Sequence, residues 1–242
     1  MKGKNEVIEY YSSISKSYER IRLGSIQGKM ISDLQINWFV KNLENANPLC
    51  LEVGCGSGRI TRVIVRKAKY LTAIDGSIKM IKVNKNSMKP NQLKSRIEYV
   101  LCDASHLPFR SECFGSVLGA RTFWHIPGYI EALTEALRVV KTSNSVLFDF
   151  PCLWGPFSLY SKCFRIKHEV LTEFINRETI KLIFRKSKCI VIGSNTSWIL
   201  FFAPDKILKR KIMRRLISQF EKLGYGWLKD LLFSYYLIKV IK

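Results

Sequence analysis

Apolar residues recur along this chain in two rhythms. Over residues 5–43, Ile8, Tyr11, Ile14 and Tyr18 fall at helical spacing, which predicts helix. Over 49–150 the rhythm changes. Short apolar runs at 49–53, 70–74, 97–101, 114–120 and 145–150 alternate with polar or amphipathic stretches. Alternation of this kind predicts a parallel sheet with helices on both faces. Ligands then bind outside the carboxyl ends of the strands, so the residues just after each run are the candidates for chemistry. Past Pro151 the pattern loosens. Residues 153–164 are rich in aromatics and glycine and read as a lid or substrate loop. Residues 176–185 suit a helix, 189–192 a strand and 235–241 a closing strand. Residues 206–223 suit an amphipathic helix with Leu208, Ile212, Leu216 and Phe220 on one face. The division that follows is a helical cap over 1–43, a ligand-binding core over 44–150, and lid, basic helix and closing strands of the same domain over 151–242.

The first strand runs into Glu52-Val53-Gly54-Cys55-Gly56-Ser57-Gly58-Arg59. Glycines at alternate positions expose backbone N–H groups and admit a ligand closer than a Cβ would. The spacing is Gly-x-Gly-x-Gly, with Arg59 where a dinucleotide fingerprint has its third glycine. A carboxylate beside the turn would repel a pyrophosphate, so Glu52 points to a ligand that is positively charged nearby. S-adenosylmethionine has an ammonium, a sulfonium and no phosphate. Twenty-one residues after Gly54 the second strand ends in Asp75-Gly76-Ser77. An acid there can accept from two ribose hydroxyls, and Ser77 is placed to cap the next helix. The third strand ends in Cys102-Asp103-Ala104, where Asp103 can accept from an adenine amine and Ala104 leaves room for the ring.

These motifs together resemble the class I S-adenosylmethionine-dependent methyltransferases, and among them the ubiquinone/menaquinone-biosynthesis type. The resemblance covers roughly residues 8–150. It rests on Glu52-x-Gly54-x-Gly56-x-Gly58, Asp75-x-Ser77-x-x-Met80, Asp103-Ala104-x-x-Leu107-Pro108-Phe109 and Glu135-x-x-Arg138-Val139-x-Lys141, in that order. Upstream, Tyr11-x-x-Ile14-x-x-x-Tyr18-x-Arg20 looks like the family's first helix, which folds over the cofactor. The resemblance implies a Rossmann-like, seven-stranded, mostly parallel sheet with an antiparallel last strand, a helical cap, and a helical insertion before that last strand. It implies that Glu52 sits near the cofactor's ammonium, and that Gly54, Cys55, Gly56, Ser57 and Gly58 border its methionine and ribose portions. Asp75, with Gly76 and Ser77, would hold the ribose, and Met80 would pack near the adenine. Asp103 and Ala104 would read the adenine edge, Arg121 would shape the pocket, and Tyr11 and Tyr18 would close over it. Two departures stand out. Phe114-Gly115 replaces Phe-Asp, and Thr142-Ser143-Asn144-Ser145 replaces a Pro-Gly-Gly turn, a tolerable change because Asn144 can still adopt the left-handed conformation.

Composition narrows the acceptor less than the cofactor. With 47% hydrophobic and 24% charged residues the chain is globular. Its apolar runs are too short to span a membrane, and its basic start lacks the apolar stretch of a signal peptide. The seven cysteines are scattered, with no Cys-x-x-Cys pair, which suits reduced thiols in the cytoplasm and no structural zinc. No metal is expected.

The net charge is +21, and the excess is densest after Pro151. The basic stretch 206–223 fits an anionic membrane surface, a phosphate backbone, or a helix packed by its apolar face with its charges solvated. Methyl transfer to a small-molecule, lipid or lipid-linked acceptor is the leading expectation. RNA methylation and a non-catalytic cofactor-binding module are the alternatives. Since the cofactor carries the activated group, the protein mainly aligns the acceptor. His125, just past the fourth strand, is the best-placed general base; the alternative for it is a packing or capping histidine.

Overall fold

The computed structural model describes residues 3–43, 49–88, 96–155, 158, 172–187, 189–197 and 233–242. Most of the predicted lid loop over 153–164 falls outside these residues, and the basic helix over 206–223 wholly so. The helical amino-terminal stretch is three helices, α1 (Lys4–Ile14), α2 (Tyr18–Leu23) and α3 (Ile26–Asn42). Ser25 starts α3 by accepting from the Gly28 amide, which satisfies one of the unpaired N–H groups of its first turn.

Seven strands form one sheet in the order β3-β2-β1-β4-β5-β7-β6. They are β1 (Leu49–Val53), β2 (Tyr70–Asp75), β3 (Ile97–Leu101), β4 (Phe114–Gly119), β5 (Val140–Pro151), β6 (Cys189–Ser197) and β7 (Phe233–Ile241). Neighbours among β1 to β5 pair in parallel, whereas β7 runs antiparallel to both β5 and β6. The central strands are buried on both faces, which explains why β1 and β4 read as continuous apolar runs without alternation.

Between the strands lie α4 (Thr61–Ile64), α5 (Ile78–Ser87), α6 (Tyr129–Val139) and α7 (Arg177–Ile183). Ala132, Leu133, Ala136 and Val139 make one buried stripe on α6, facing a core that includes Val117, Phe148 and Phe150. On the other face of the sheet, Phe39 of α3 and Ile64 of α4 pack over Leu71, Leu118 and Leu147.

β5 begins earlier than its apolar run suggests. Val140 pairs with Phe114 and Ser145 with Ser116, so the residues between 140 and 145 bulge out of the ladder. The left-handed residue of that bulge is Ser143, at φ 64°, rather than Asn144. Ser143 is held by its amide, which donates to the Lys242 carbonyl, while Asn144 accepts from the Lys242 amide.

Candidate cofactor site

The strand order reverses between β1 and β4, and the carboxyl ends of the strands around that point enclose a cavity of about 460 Å3. The loop after β1 forms its floor. Gly54, Gly56 and Gly58 have φ of 69°, 51° and 93°. They serve different purposes. A Cβ on Gly54 would run into the Thr122 side chain, and one on Gly58 would meet Asn84 Oδ1 at 2.5 Å. A Cβ on Gly56 would meet only the Gly54 carbonyl, at 4.0 Å, and would otherwise project into open space. Gly54 and Gly56 line the cavity, whereas Gly58 lies behind it.

Asp75 ends β2 on the cavity wall. Its Oδ2 accepts from the Gly56 amide at 2.9 Å and its Oδ1 from the Ser77 amide at 2.8 Å. Each oxygen keeps a lone pair for a ligand hydroxyl. Burial raises the Asp75 pKa against the lowering effect of the Ser77 and Gly56 amides. Ser77 also caps α5 through the Met80 amide, and Gly76, Ser77 and Met80 all line the cavity.

At the end of β3, Asp103 and Ala104 complete this side of the wall. Asp103 Oδ1 accepts from the Ser105 amide at 2.9 Å and Oδ2 from Lys4 Nζ at 2.8 Å. Burial works to raise the Asp103 pKa, but the bonds from Lys4 and Ser105 outweigh it and leave the carboxylate below its usual range.

Helices α1 and α2 lie across the opening. Tyr11 and Tyr18 both line the cavity, with ring centroids 6.0 Å apart, and Tyr11 meets His125 edge-on at 5.4 Å. His125 lines the cavity from the turn after β4, 5% exposed, and its ring lies 3.8 Å from that of Trp124. His125 thus packs among aromatics, as the packing expectation has it, and also faces the cavity. Burial, reinforced by neighbouring Tyr18, drives the Tyr11 hydroxyl well above the usual phenol range.

Four of the residues expected around the cofactor are not on the cavity wall: Glu52, Cys55, Ser57 and Gly58. Glu52 is the largest correction. It is 2% exposed, and its Oε2 accepts from Thr61 Oγ1 at 2.7 Å. Thr61 in turn accepts from Asn84 Nδ2 at 2.9 Å. The carboxyl braces the glycine loop from behind instead of facing the cavity. Burial pushes its pKa up to about 8 against the opposing pull of Thr61 and Arg59. Ser57 Oγ likewise turns outward to Glu19, which also pairs with Arg62 at 2.5 Å.

Arg121 does line the cavity, and it carries an arrangement that the motifs did not reveal. It sits at φ 56°, with its amide donating to Asp149 Oδ1 at 2.6 Å and its Nε to Gln35 Oε1 at 2.9 Å. Gln35 Nε2 donates to Asp149 Oδ2 at 2.9 Å, so the three residues close a ring through the Arg121 backbone amide. The one signal in the chain was Asp149 itself, an acid inside an apolar strand, which must find partners. Lys4, Ile8 and Thr122 were also missed. Their places depend on how α1 and the turn after β4 dock, which no local pattern records. Cys152 is buried, with its Sγ 3.1 Å from the Tyr236 hydroxyl. Among the described residues no group of three or more His, Cys, Asp or Glu could hold a metal ion.

Comparison with known proteins agrees with this geometry. Residues 51–148 match the family model of a methyltransferase domain. A ubiquinone/menaquinone biosynthesis C-methyltransferase of Rickettsia bellii is 26% identical over 195 residues, 77% of this chain and 74% of the relative. Its counterpart from Rickettsia massiliae is 25% identical over 93% of this chain and 88% of its own length. Among solved structures, an S-adenosylmethionine-dependent methyltransferase of Thermotoga maritima superposes with a TM-score of 0.69 at 16% identity, covering 98% of this chain and 99% of its own. The geranyl diphosphate C-methyltransferase of Streptomyces coelicolor, solved with Mg2+, geranyl diphosphate and S-adenosylhomocysteine, gives 0.59 at 13% identity over 86% and 77%. At these identities the two solved structures speak for the fold.

Proposed function

Because the chain is a class I S-adenosylmethionine-dependent methyltransferase, we propose that it methylates a small-molecule, lipid or lipid-linked acceptor, held against the aromatic wall of Tyr11, Tyr18 and His125. The observation that carries this reading is the placement of that wall. It borders the same cavity as Gly54 and Gly56. The relatives named for ubiquinone/menaquinone biosynthesis and the neighbour solved with geranyl diphosphate support it.

S-adenosylmethionine supplies an activated methyl group, so the protein's task is alignment and exclusion of water. The residues present fit it. The open space over Gly56 admits a ligand against the backbone, Asp75 has lone pairs for the ribose hydroxyls, and Asp103 with Ala104 faces the adenine position. Met80 and Gly76 border the nucleoside, and Tyr11 and Tyr18, from the 1–43 cap, close over the site between cofactor and acceptor. Glu52, Cys55, Ser57 and Gly58 act from behind, by holding the loop's shape. His125 takes a proton where the acceptor must lose one.

Location in the cytoplasm, free or against a membrane surface, belongs to the same proposal. Among the described residues no helix is long and apolar enough to cross a membrane. The test is incubation of methyl-labelled cofactor with separated lipid, small-metabolite and RNA extracts. Label in the organic or small-molecule fraction supports the proposal, and label confined to RNA refutes it. In the supporting case His125→Asn lowers the rate by a factor of about 100 or more and alters its pH profile, if the imidazole is the base.

A further inference from the structure

A group of cationic side chains lies beside the aromatic wall. Three guanidinium groups converge there. Arg121 lines the cavity from the end of β4. Arg59 reaches Ser32 with its Nη1 at 3.0 Å and lies close enough to Arg121 for the two to repel. Burial, with that repulsion second, pushes the Arg59 pKa down to about 10. Arg22, from α2, holds its guanidinium carbon 5.9 Å from the Tyr18 ring centroid and hydrogen-bonds the Tyr11 side chain. Its strongest electrostatic neighbours are tyrosines: Tyr18, Tyr11, Tyr235 and Tyr10. Its Nε is buried and has no hydrogen-bond partner among the described residues.

Among the described residues the acids nearby balance these charges only in part. Asp149 attracts both Arg59 and Arg121, one carboxylate against two guanidiniums, and is held in place by Gln35 and the Arg121 amide. Glu52 is turned to Thr61, and its burial keeps it largely protonated at neutral pH. Buried cations without counter-charges are costly, and an unpaired guanidinium N–H more so. Such a site is completed by an anion, for which the planar fork of arginine is well shaped.

Position in the sheet says which anion. The nucleoside-facing acids end β2 and β3, on one side of β1. Arg121 follows β4, and Arg22 interacts with Tyr235 of β7, on the other side. Tyr235 also lies 6.0 Å from the Trp124 ring, beside His125. The cations thus extend away from the nucleoside end toward the half of the sheet where the acceptor is proposed to sit.

We propose that Arg22 and Arg121, backed by Arg59, form an oxyanion subsite, and that the methyl acceptor carries a carboxylate or phosphate group bound there. This rests on the reading of the cavity as a methyltransferase site. The same chemistry has a second source, the carboxylate of the cofactor's own methionine portion, and the experiment separates the two.

Protein saturated with S-adenosylhomocysteine is titrated calorimetrically with matched pairs: geranyl phosphate against geraniol, and 4-hydroxybenzoate against 4-hydroxybenzyl alcohol. In at least one pair the acid binds about 10-fold or more tighter than its neutral partner. Arg22→Met removes most of that preference, while affinity for S-adenosylhomocysteine changes less than about twofold. Arg22→Lys, which keeps the charge and the stem, retains part of the preference and serves if the methionine variant misfolds. Acids that bind no better than their neutral partners overturn the proposal. So does a loss of about 10-fold in S-adenosylhomocysteine affinity in Arg22→Met with acid binding unchanged, since the cation then serves the cofactor. Failure of the wild-type protein to bind S-adenosylhomocysteine overturns the underlying reading, and the subsite with it.

Discussion

Lys4 Nζ lies 2.8 Å from Asp103 Oδ2, a contact that ties the first helix to the end of the third parallel strand across the cavity. Two further bonds anchor the same strap: Ser12 Oγ to Ser77 Oγ at 2.7 Å, and Glu19 to Arg62. The cap therefore rests on residues of the cavity wall that are proposed to face the nucleoside. Both partners of the Lys4 pair are about two-fifths exposed, so the bond is worth at most about 1 kcal/mol and weakens with salt. Lys4→Met is expected to raise the dissociation rate of S-adenosylhomocysteine by about two- to fivefold at low salt, with little change in melting temperature. Stopped-flow fluorescence checks this. The difference from wild type shrinks as salt is added.

The three loop glycines separate folding from binding. Gly56→Ala strains a φ of 51° but meets little, so it costs about 1–2 kcal/mol of stability. Its methyl group projects where a ligand would lie, and cofactor binding falls at least 10-fold. Gly54→Ala adds overlap with Thr122 to the same kind of backbone strain and destabilises by about 2–4 kcal/mol. Denaturant titration beside calorimetry distinguishes the two variants. Equal loss of stability in both would contradict the assignment.

Glu52 gives the protein a pH dependence of definite sign. Its folded pKa, about 8, lies above the ordinary value of 4.5 because of burial. The folded state therefore holds the proton more tightly than the unfolded chain. Stability from this group is present in full below pH 4.5, declines as pH rises, and is gone above about pH 8. The whole effect is on the order of 5 kcal/mol as an upper bound. Glu52→Gln keeps an acceptor for Thr61 and cannot ionise. Its stability relative to wild type is expected to rise between pH 5 and pH 8.5 in urea titrations, and a constant difference would show that Glu52 is already ionised when folded.

How much of this was legible in the chain depends on the range of the interaction. The five parallel strands, the glycine turn and the acids after β2 and β3 are local statements, written in apolar runs and in the residues that follow them. Asp75 and Asp103 could be read because a strand's end determines where its next residue points. Glu52 could not. A strand residue faces one side of the sheet or the other, and only the packing of α4 and α5 shows that its partner is Thr61 with Asn84 behind. The left-handed residue of the β5 bulge was legible only to within one position, since Ser143 rather than Asn144 is held by the end of β7. The Arg121, Gln35 and Asp149 ring joins residues 114 positions apart at its widest, beyond any local pattern.

The most direct measurement is the affinity of the purified protein for S-adenosylhomocysteine, compared with Asp75→Asn. Asp75 accepts from the Gly56 and Ser77 amides and, in the proposed site, offers its remaining lone pairs to the ribose, so both loop shape and ligand are predicted to depend on it. Calorimetry should give one site per chain for the wild type, with affinity about 10- to 100-fold weaker in the variant. A wild type that takes up NADH but releases no heat with S-adenosylhomocysteine would contradict the account at its centre.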